Sequence, residues 1–145
     1  MNFLLMFTVD DCRIIEIDRH HSQRKGDISV VEGNKEVPFE IKRIYYLYDI
    51  PGGVERGGHA HKTLCQFIVA VSGCFTVVID DGKCHRSYTL NRPYKGLLVP
   101  PGMWRTLEDF SSGSVCMVLA SEYYDENDYI RDYASFLEYR NDSHD

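Results

Sequence analysis

From Cys12 to Ala120 the chain is cut into short β-branched and aromatic runs by Gly, Pro, Asp and Asn. That rhythm is the pattern of an all-β sandwich or barrel, because each run is strand-length and each interruption is turn chemistry. Candidate strands are Arg13–Asp18, Ile28–Glu32, Ile41–Asp49, His59–Val71, Cys74–Asp80, Cys84–Leu90, Gly96–Val99 and Ser114–Ala120, a set that suits a jelly roll. Asp80-Asp81-Gly82-Lys83 is the clearest turn and pairs Thr76–Ile79 with His85–Tyr88 as antiparallel neighbours. Gly73 marks a second tight reversal, and Pro100-Pro101-Gly102 stops the strand ending at Val99.

After Glu126 the spacing of Tyr129, Ile130, Tyr133, Phe136, Leu137 and Arg140 becomes helical, which predicts a short C-terminal helix. The acidic run Tyr124–Asp128 is expected to open it, where carboxylates suit the helix dipole. No repeat or linker interrupts the 145 residues, so one domain over 1–145 is expected.

A net charge of −6 offers no long-range attraction to nucleic acid or an anionic membrane, so an anionic ligand must be held by local cations. The five cysteines (Cys12, Cys65, Cys74, Cys84, Cys116) are odd in number, scattered and without a CxxC pair. Neither a disulfide framework nor a zinc knuckle follows, and reduced thiols in a cytoplasmic protein are expected. The apolar stretch Met1–Val9 lacks a preceding basic segment and a cleavage site, so it reads as an N-terminal strand or dimer arm rather than a signal peptide. No run is long enough to cross a bilayer.

Chemistry concentrates between Gly53 and Gly73, which reads G-x5-H-x-H-x4-Q-x6-G through His59, His61 and Gln66. Side chains two apart on a strand share a face, so both imidazoles enter the barrel or both leave it. This spacing resembles the first cupin motif, whose last polar position is usually Glu. Pro100-Pro101-Gly102-Met103-Trp104-Arg105 resembles the second, P-x-G-x-x-H, with Arg105 in place of histidine. Metal cupins draw ligands from these positions, whereas a guanidinium carries no lone pair to donate and repels a cation. The expected chemistry is therefore metal-free and cofactor-free acid–base catalysis by His59 and His61, since imidazole titrates near neutrality.

Arg56 and Lys62 flank the pair, Arg105 arrives from the second motif, and Arg43 lies on a preceding strand, a cluster suited to a diphosphate. Among Tyr45, Tyr46 and Tyr48 only one side of the strand can line a cavity, and Tyr46 is favoured. Gln66 either bonds the ligand or is tied to backbone. His20, His21, His85 and His144 are read as surface or structural.

Phe39–Tyr46, Arg56–Lys62, Gly26–Glu32, Pro100–Arg105, Ala120–Glu126 and Asp128–Tyr133 together resemble the nucleotide-sugar 3,4-ketoisomerases of the WxcM-like cupins. The resemblance implies a cupin-type jelly-roll β-barrel that isomerises dTDP-4-keto-6-deoxyglucose to a 3-keto sugar, with catalysis by the H-x-H pair His59 and His61. It also implies a homodimer with exchanged N-terminal strands. Rival readings are a 3,5-epimerase, a metal cupin and a non-catalytic binding module. One departure stands out: Arg19–Lys25 is longer and more basic than the family's short turn.

Overall fold

The computed structural model describes residues 6–142. In chain order the strands are β1 Arg13–Glu16, β2 His20–Ser22, β3 Gly26–Ile28, β4 Arg43–Leu47, β5 Arg56–His61 and β6 Gln66–Ser72. They continue as β7 Phe75–Asp80, β8 His85–Leu90, β9 Lys95–Val99, β10 Trp104–Glu108, β11 Val115–Ala120 and β12 Tyr129–Ile130, ahead of helix α1, Tyr133–Asp142. One five-stranded sheet runs β1-β9-β6-β11-β4 and the other β12-β5-β10-β7-β8, with β2-β3 a separate hairpin. All the strand pairings are antiparallel. This is a jelly-roll arrangement with one C-terminal helix, as the punctuation of the sequence implies.

The main core lies between the sheets. Ile68, Leu97, Val99, Cys116 and Val118 from the first meet Phe75, Val77, Ile79, Leu90 and Leu107 from the second. Strict alternation on β7 sends Phe75, Val77 and Ile79 inward. Each such side chain contributes about 1.5–3 kcal/mol on full burial. The first sheet is covered on its other face too, where Phe67, Val69, Leu98 and Leu119 pack beneath Val37 and Phe39. That explains why Gln66–Ala70 is a continuous buried run rather than an alternating one.

Close packing makes Gly96 irreplaceable. It pairs with Val69, and a Cβ built there would lie 2.2 Å from Cζ of Phe67. Gly96→Ala is expected to destabilise the fold by about 1–3 kcal/mol through overpacking. Gly52→Ala, at a position with no atom within 4 Å of the added carbon, should stay within about 0.5 kcal/mol. Urea denaturation midpoints of the two variants check the contrast.

The β7–β8 hairpin forms as expected, with Thr76 opposite Thr89 and Ile79 opposite Arg86. Gly73 has φ 71°, and the strand before Pro100 stops at Val99. Other expectations need correction. His59–Val71 is two strands in different sheets, because Lys62–Cys65 turns away: Asp128 takes the Thr63 and Leu64 amides and Ser121 Oγ takes that of Cys65. Ile28–Glu32 is not a strand; only Gly26–Ile28 pairs, with His20–Ser22 in the basic insertion. Trp104–Glu108, covered by none of the candidate strands, is a strand flanked by β5 and β7.

The acidic stretch forms a 3-10 turn at Glu126–Asp128 and leads into β12, while α1 starts later, beside Asp132, whose side chain accepts from Ser135 N. The expected N-terminal strand falls partly on residues 1–5, outside the described residues, as does His144. Val9 enters a 3-10 turn, Val9–Asp11, anchored where its amide donates to Asp81 Oδ2. All five cysteines are free thiols. Burial pushes Cys12 and Cys116 up to about 12 and Cys65 to about 11, so none of these three is a thiolate at neutral pH.

Candidate active site

β5 carries His59 and His61 on one face, and that face points inward: the residues are 9% and 2% exposed. The rings meet edge to face with centroids 4.9 Å apart. Arg105 stands opposite His59 across the β10–β5 pairing and is itself 2% exposed. Its guanidinium is fixed by two neutral partners: Nε donates to Gln66 Oε1 at 2.9 Å and Nη2 to Tyr45 OH at 2.6 Å. Gly57, at φ 77°, leaves room for this group, since a Cβ there would lie 2.6 Å from Arg105 Nη1.

β12 closes the site by pairing Tyr129 with His61. The Tyr129 ring lies 5.1 Å from that of His59 and 4.3 Å from that of His61, with the Arg131 guanidinium 4.2 Å from the Tyr129 centroid. Just before β12, Asp128 Oδ2 lies 3.4 Å from His61 Nδ1.

A cavity of about 180 Å³ opens onto this group, bounded by Arg43, Tyr45, Leu47, Arg56, Gly57, His59, Arg105, Tyr129 and Arg131. Four guanidinium groups border this small cavity in a chain of net negative charge; Arg131 is also paired with Glu126 at 2.7 Å, and the arrangement is suited to an anionic ligand. A larger cleft of about 620 Å³ on the other side of Tyr129 and Arg131 has no imidazole in its lining.

Burial drives His59 down to about 2, helped by Arg105, His61, Arg131 and Arg43. His61 falls to about 4, again chiefly through burial and Arg105, with Asp128 opposing them. Both rings are therefore neutral at pH 7, each with one ring nitrogen unprotonated. His59 Nε2 and both ring nitrogens of His61 are buried without a hydrogen-bond partner. Unsatisfied buried polar atoms are rare in folded proteins and concentrate where function requires them.

These shifts set a pH dependence of stability. The unfolded imidazoles titrate near 6.5 and the folded ones well below, so between about pH 6.5 and 4 the unfolded chain binds more protons. Stability should fall as pH drops through that window, by up to about 1.4 kcal/mol per pH unit for each imidazole, and be flat from this source above it. Denaturation midpoints at stepped pH check this; a double His59→Gln, His61→Gln variant should lose most of the slope.

Of the residues singled out in the sequence, His59, Arg56 and Arg105 border the cavity, Gln66 holds Arg105 from behind, and His61 sits deeper than His59. Two are displaced. Tyr46 is 60% exposed on the outer face of β4, and Tyr45 is the tyrosine that enters the cavity. Lys62 lines the larger cleft, because the chain turns out of the barrel directly after His61. Tyr129, Arg131 and Asp128 were missed as site residues. Their stretch belongs to the family resemblance, but the β12–β5 pairing that brings them to the histidines spans a long separation in sequence and leaves no local spacing signal.

The donor set does not suit a divalent cation. Gln66 replaces a carboxylate, and the Arg105 charge is buried against the imidazoles. Among the described residues no three of His, Cys, Asp and Glu converge as ligands.

Fold and site define a cupin-type jelly roll with a buried pair of imidazoles beside an arginine-lined cavity. The chain belongs to the WxcM-like, C-terminal family (FdtA), which matches residues 10–141. It is 49% identical over 115 residues to a TDP-4-oxo-6-deoxy-alpha-D-glucose-3,4-oxoisomerase of Aneurinibacillus thermoaerophilus, covering 79% of this chain and 83% of that one. A 3,4-ketoisomerase from Helicobacter canadensis superposes with a TM-score of 0.87 at 45% identity, over 90% of this chain and 98% of the other. A mutant 3,4-ketoisomerase from Thermoanaerobacterium thermosaccharolyticum, solved with TDP-4-keto-6-deoxyglucose, gives a TM-score of 0.88 at 33% identity, over 91% and 95% of the two chains.

Proposed function

We propose that this protein is a nucleotide-sugar 3,4-ketoisomerase that moves the carbonyl of a dTDP-4-keto-6-deoxy-hexose from C4 to C3. The observation that carries the mechanism is the buried pair of neutral imidazoles, Nε2 of each without a hydrogen-bond partner, beside the fixed guanidinium of Arg105. The C4 ketone acidifies the proton on C3. His59, which borders the cavity, takes that proton as general base, and negative charge passes to the former carbonyl oxygen.

Arg105 stabilises that charge, and the enediol is reached as the oxygen gains a proton. Return of a proton to C4 and loss of the one on O3 complete the exchange. C3–H and O3–H bonds are broken, C4–H and O4–H bonds are made, and no redox equivalent is exchanged. Arg43, Arg56 and Arg131 are suited to the diphosphate, and His61 supports the pair from the interior. The product would feed the synthesis of deoxy-amino sugars for surface glycans.

The same reading places the protein in the cytoplasm as a homodimer with exchanged N-terminal strands. Ile44 and Tyr46 on β4 and Tyr48 just beyond it are 55–61% exposed, apolar area that a second copy would bury. Among the described residues no helix is long and apolar enough to cross a membrane.

Incubation with TDP-4-keto-6-deoxyglucose followed by NMR of the product tests the function. A carbonyl moved to C3 is expected. Retention at C4 with inversion at C3 or C5 would instead indicate an epimerase, and an unchanged sugar a binding protein.

A further inference from the structure

Asp128 stands out among the groups near the imidazoles because its environment fixes it twice over. Its Oδ1 accepts from the Thr63 amide and the Thr63 hydroxyl, both at 2.8 Å, and its Oδ2 from the Leu64 amide at 3.3 Å. Those donors belong to the turn that ends β5, so the carboxylate is registered against the strand bearing both histidines. Its backbone is tied there as well, since Lys62 N donates to Asp128 O at 3.0 Å. Held this way, Oδ2 lies 3.4 Å from His61 Nδ1. The other groups facing His61 are His59, Tyr129 and the Arg105 and Arg43 guanidinium groups, none of which is a carboxylate.

We propose that Asp128 is a positioning residue for the isomerisation: it holds His61 as the Nδ1–H tautomer and leaves Nε2 as the ring nitrogen that exchanges protons within the imidazole pair. The inference rests on the ketoisomerase reading above, which supplies a proton to be moved. A carboxylate can only accept, so the neutral ring must present its N–H at Nδ1 to bond it. At 3.4 Å the contact is longer than a full hydrogen bond; charge-assisted bonds are shorter and stronger, so a cationic ring would draw the carboxylate closer. The strongest support from Asp128 thus comes while His61 carries an extra proton, opposing the burial and the Arg105 charge that hold His61 neutral.

The two histidines are then unequal. His59 borders the cavity, makes no ion pair with a carboxylate among the described residues and is the group that meets the sugar. His61, deeper and backed by Asp128, steadies the proton in transit.

The test reads the tautomer directly, by ¹⁵N chemical shifts of the His61 ring in wild-type protein and in Asp128→Asn, together with kcat and KM for TDP-4-keto-6-deoxyglucose. The wild type should show Nδ1 protonated and Nε2 bare. Asp128→Asn should lose that fixed tautomer and lower kcat by about 10- to 100-fold, the range found when a partner orienting a functional histidine is removed, with KM changed less than about threefold. Asp128→Glu should recover part of kcat. A wild-type His61 protonated at Nε2, or an Asp128→Asn protein with unaltered shifts and kcat, would overturn the proposal. If Asp128→Asn does not fold, the wild-type tautomer decides alone. A wild type that binds the sugar without converting it would defeat the ketoisomerase reading, and the ring shifts would still report the dyad.

Discussion

His59→Ala should lower turnover of TDP-4-keto-6-deoxyglucose by about 10²- to 10⁴-fold, the span general acid–base catalysis supplies. KM should change little. His59 is the imidazole on the cavity wall, its Nε2 has no protein partner, and burial with its cationic neighbours keeps it unprotonated at neutral pH. Removing it takes the base away without breaking a hydrogen bond that holds the fold. The variant should keep its circular dichroism and resist acid better than the wild type, because a buried group that disfavours protonation has gone. Turnover within a few-fold of wild type would mean that another group abstracts the proton.

Arg105→Met should lower kcat by about 10²- to 10³-fold, the loss seen when a fixed donor to a developing oxyanion is deleted. Methionine keeps an unbranched apolar chain in the buried slot but cannot meet charge on the former carbonyl oxygen. Gln66 Oε1 and Tyr45 OH would lose their partner, so some stability should go too. A second signature separates this role from packing. Arg105 is among the causes holding both imidazoles down, so its removal should shift the acid limb of the pH–rate profile upward. Steady-state kinetics from about pH 3 to 9 on wild type and variant would show both effects; a raised KM with unchanged kcat would place Arg105 in ground-state binding instead.

How much of this was legible beforehand varies by residue, for physical reasons. The β7–β8 hairpin and the reversal at Gly73 were readable because turn chemistry is local. The H-x-H spacing placed two imidazoles on one face because strand geometry alternates. Strand ends were less readable. His59–Val71 reads as one strand, and contacts with Asp128 and Ser121, distant in sequence, divide it between two sheets.

The tyrosine choice failed for a related reason. Alternation on β4 says that Tyr45 and Tyr46 face opposite ways, but which way is inward depends on pairing with β11, where Tyr45 meets Val118. Lys62 likewise follows His61 directly, yet lies beyond the end of β5 and faces another cleft. Arg105 was recognised as a departure from a metal-binding pattern, while its bonds to Gln66 and Tyr45 required three strands from both sheets to meet.

The most direct test of proton transfer by the imidazole pair is NMR of TDP-4-keto-6-deoxyglucose in D₂O with wild type and His59→Ala side by side. Wild type should replace the C4 carbonyl signal with one at C3 and erase the original C3 proton resonance, and His59→Ala should leave the spectrum nearly unchanged over the same interval. Conversion by His59→Ala at the wild-type rate, or a carbonyl that stays at C4 in the wild type, would contradict the account.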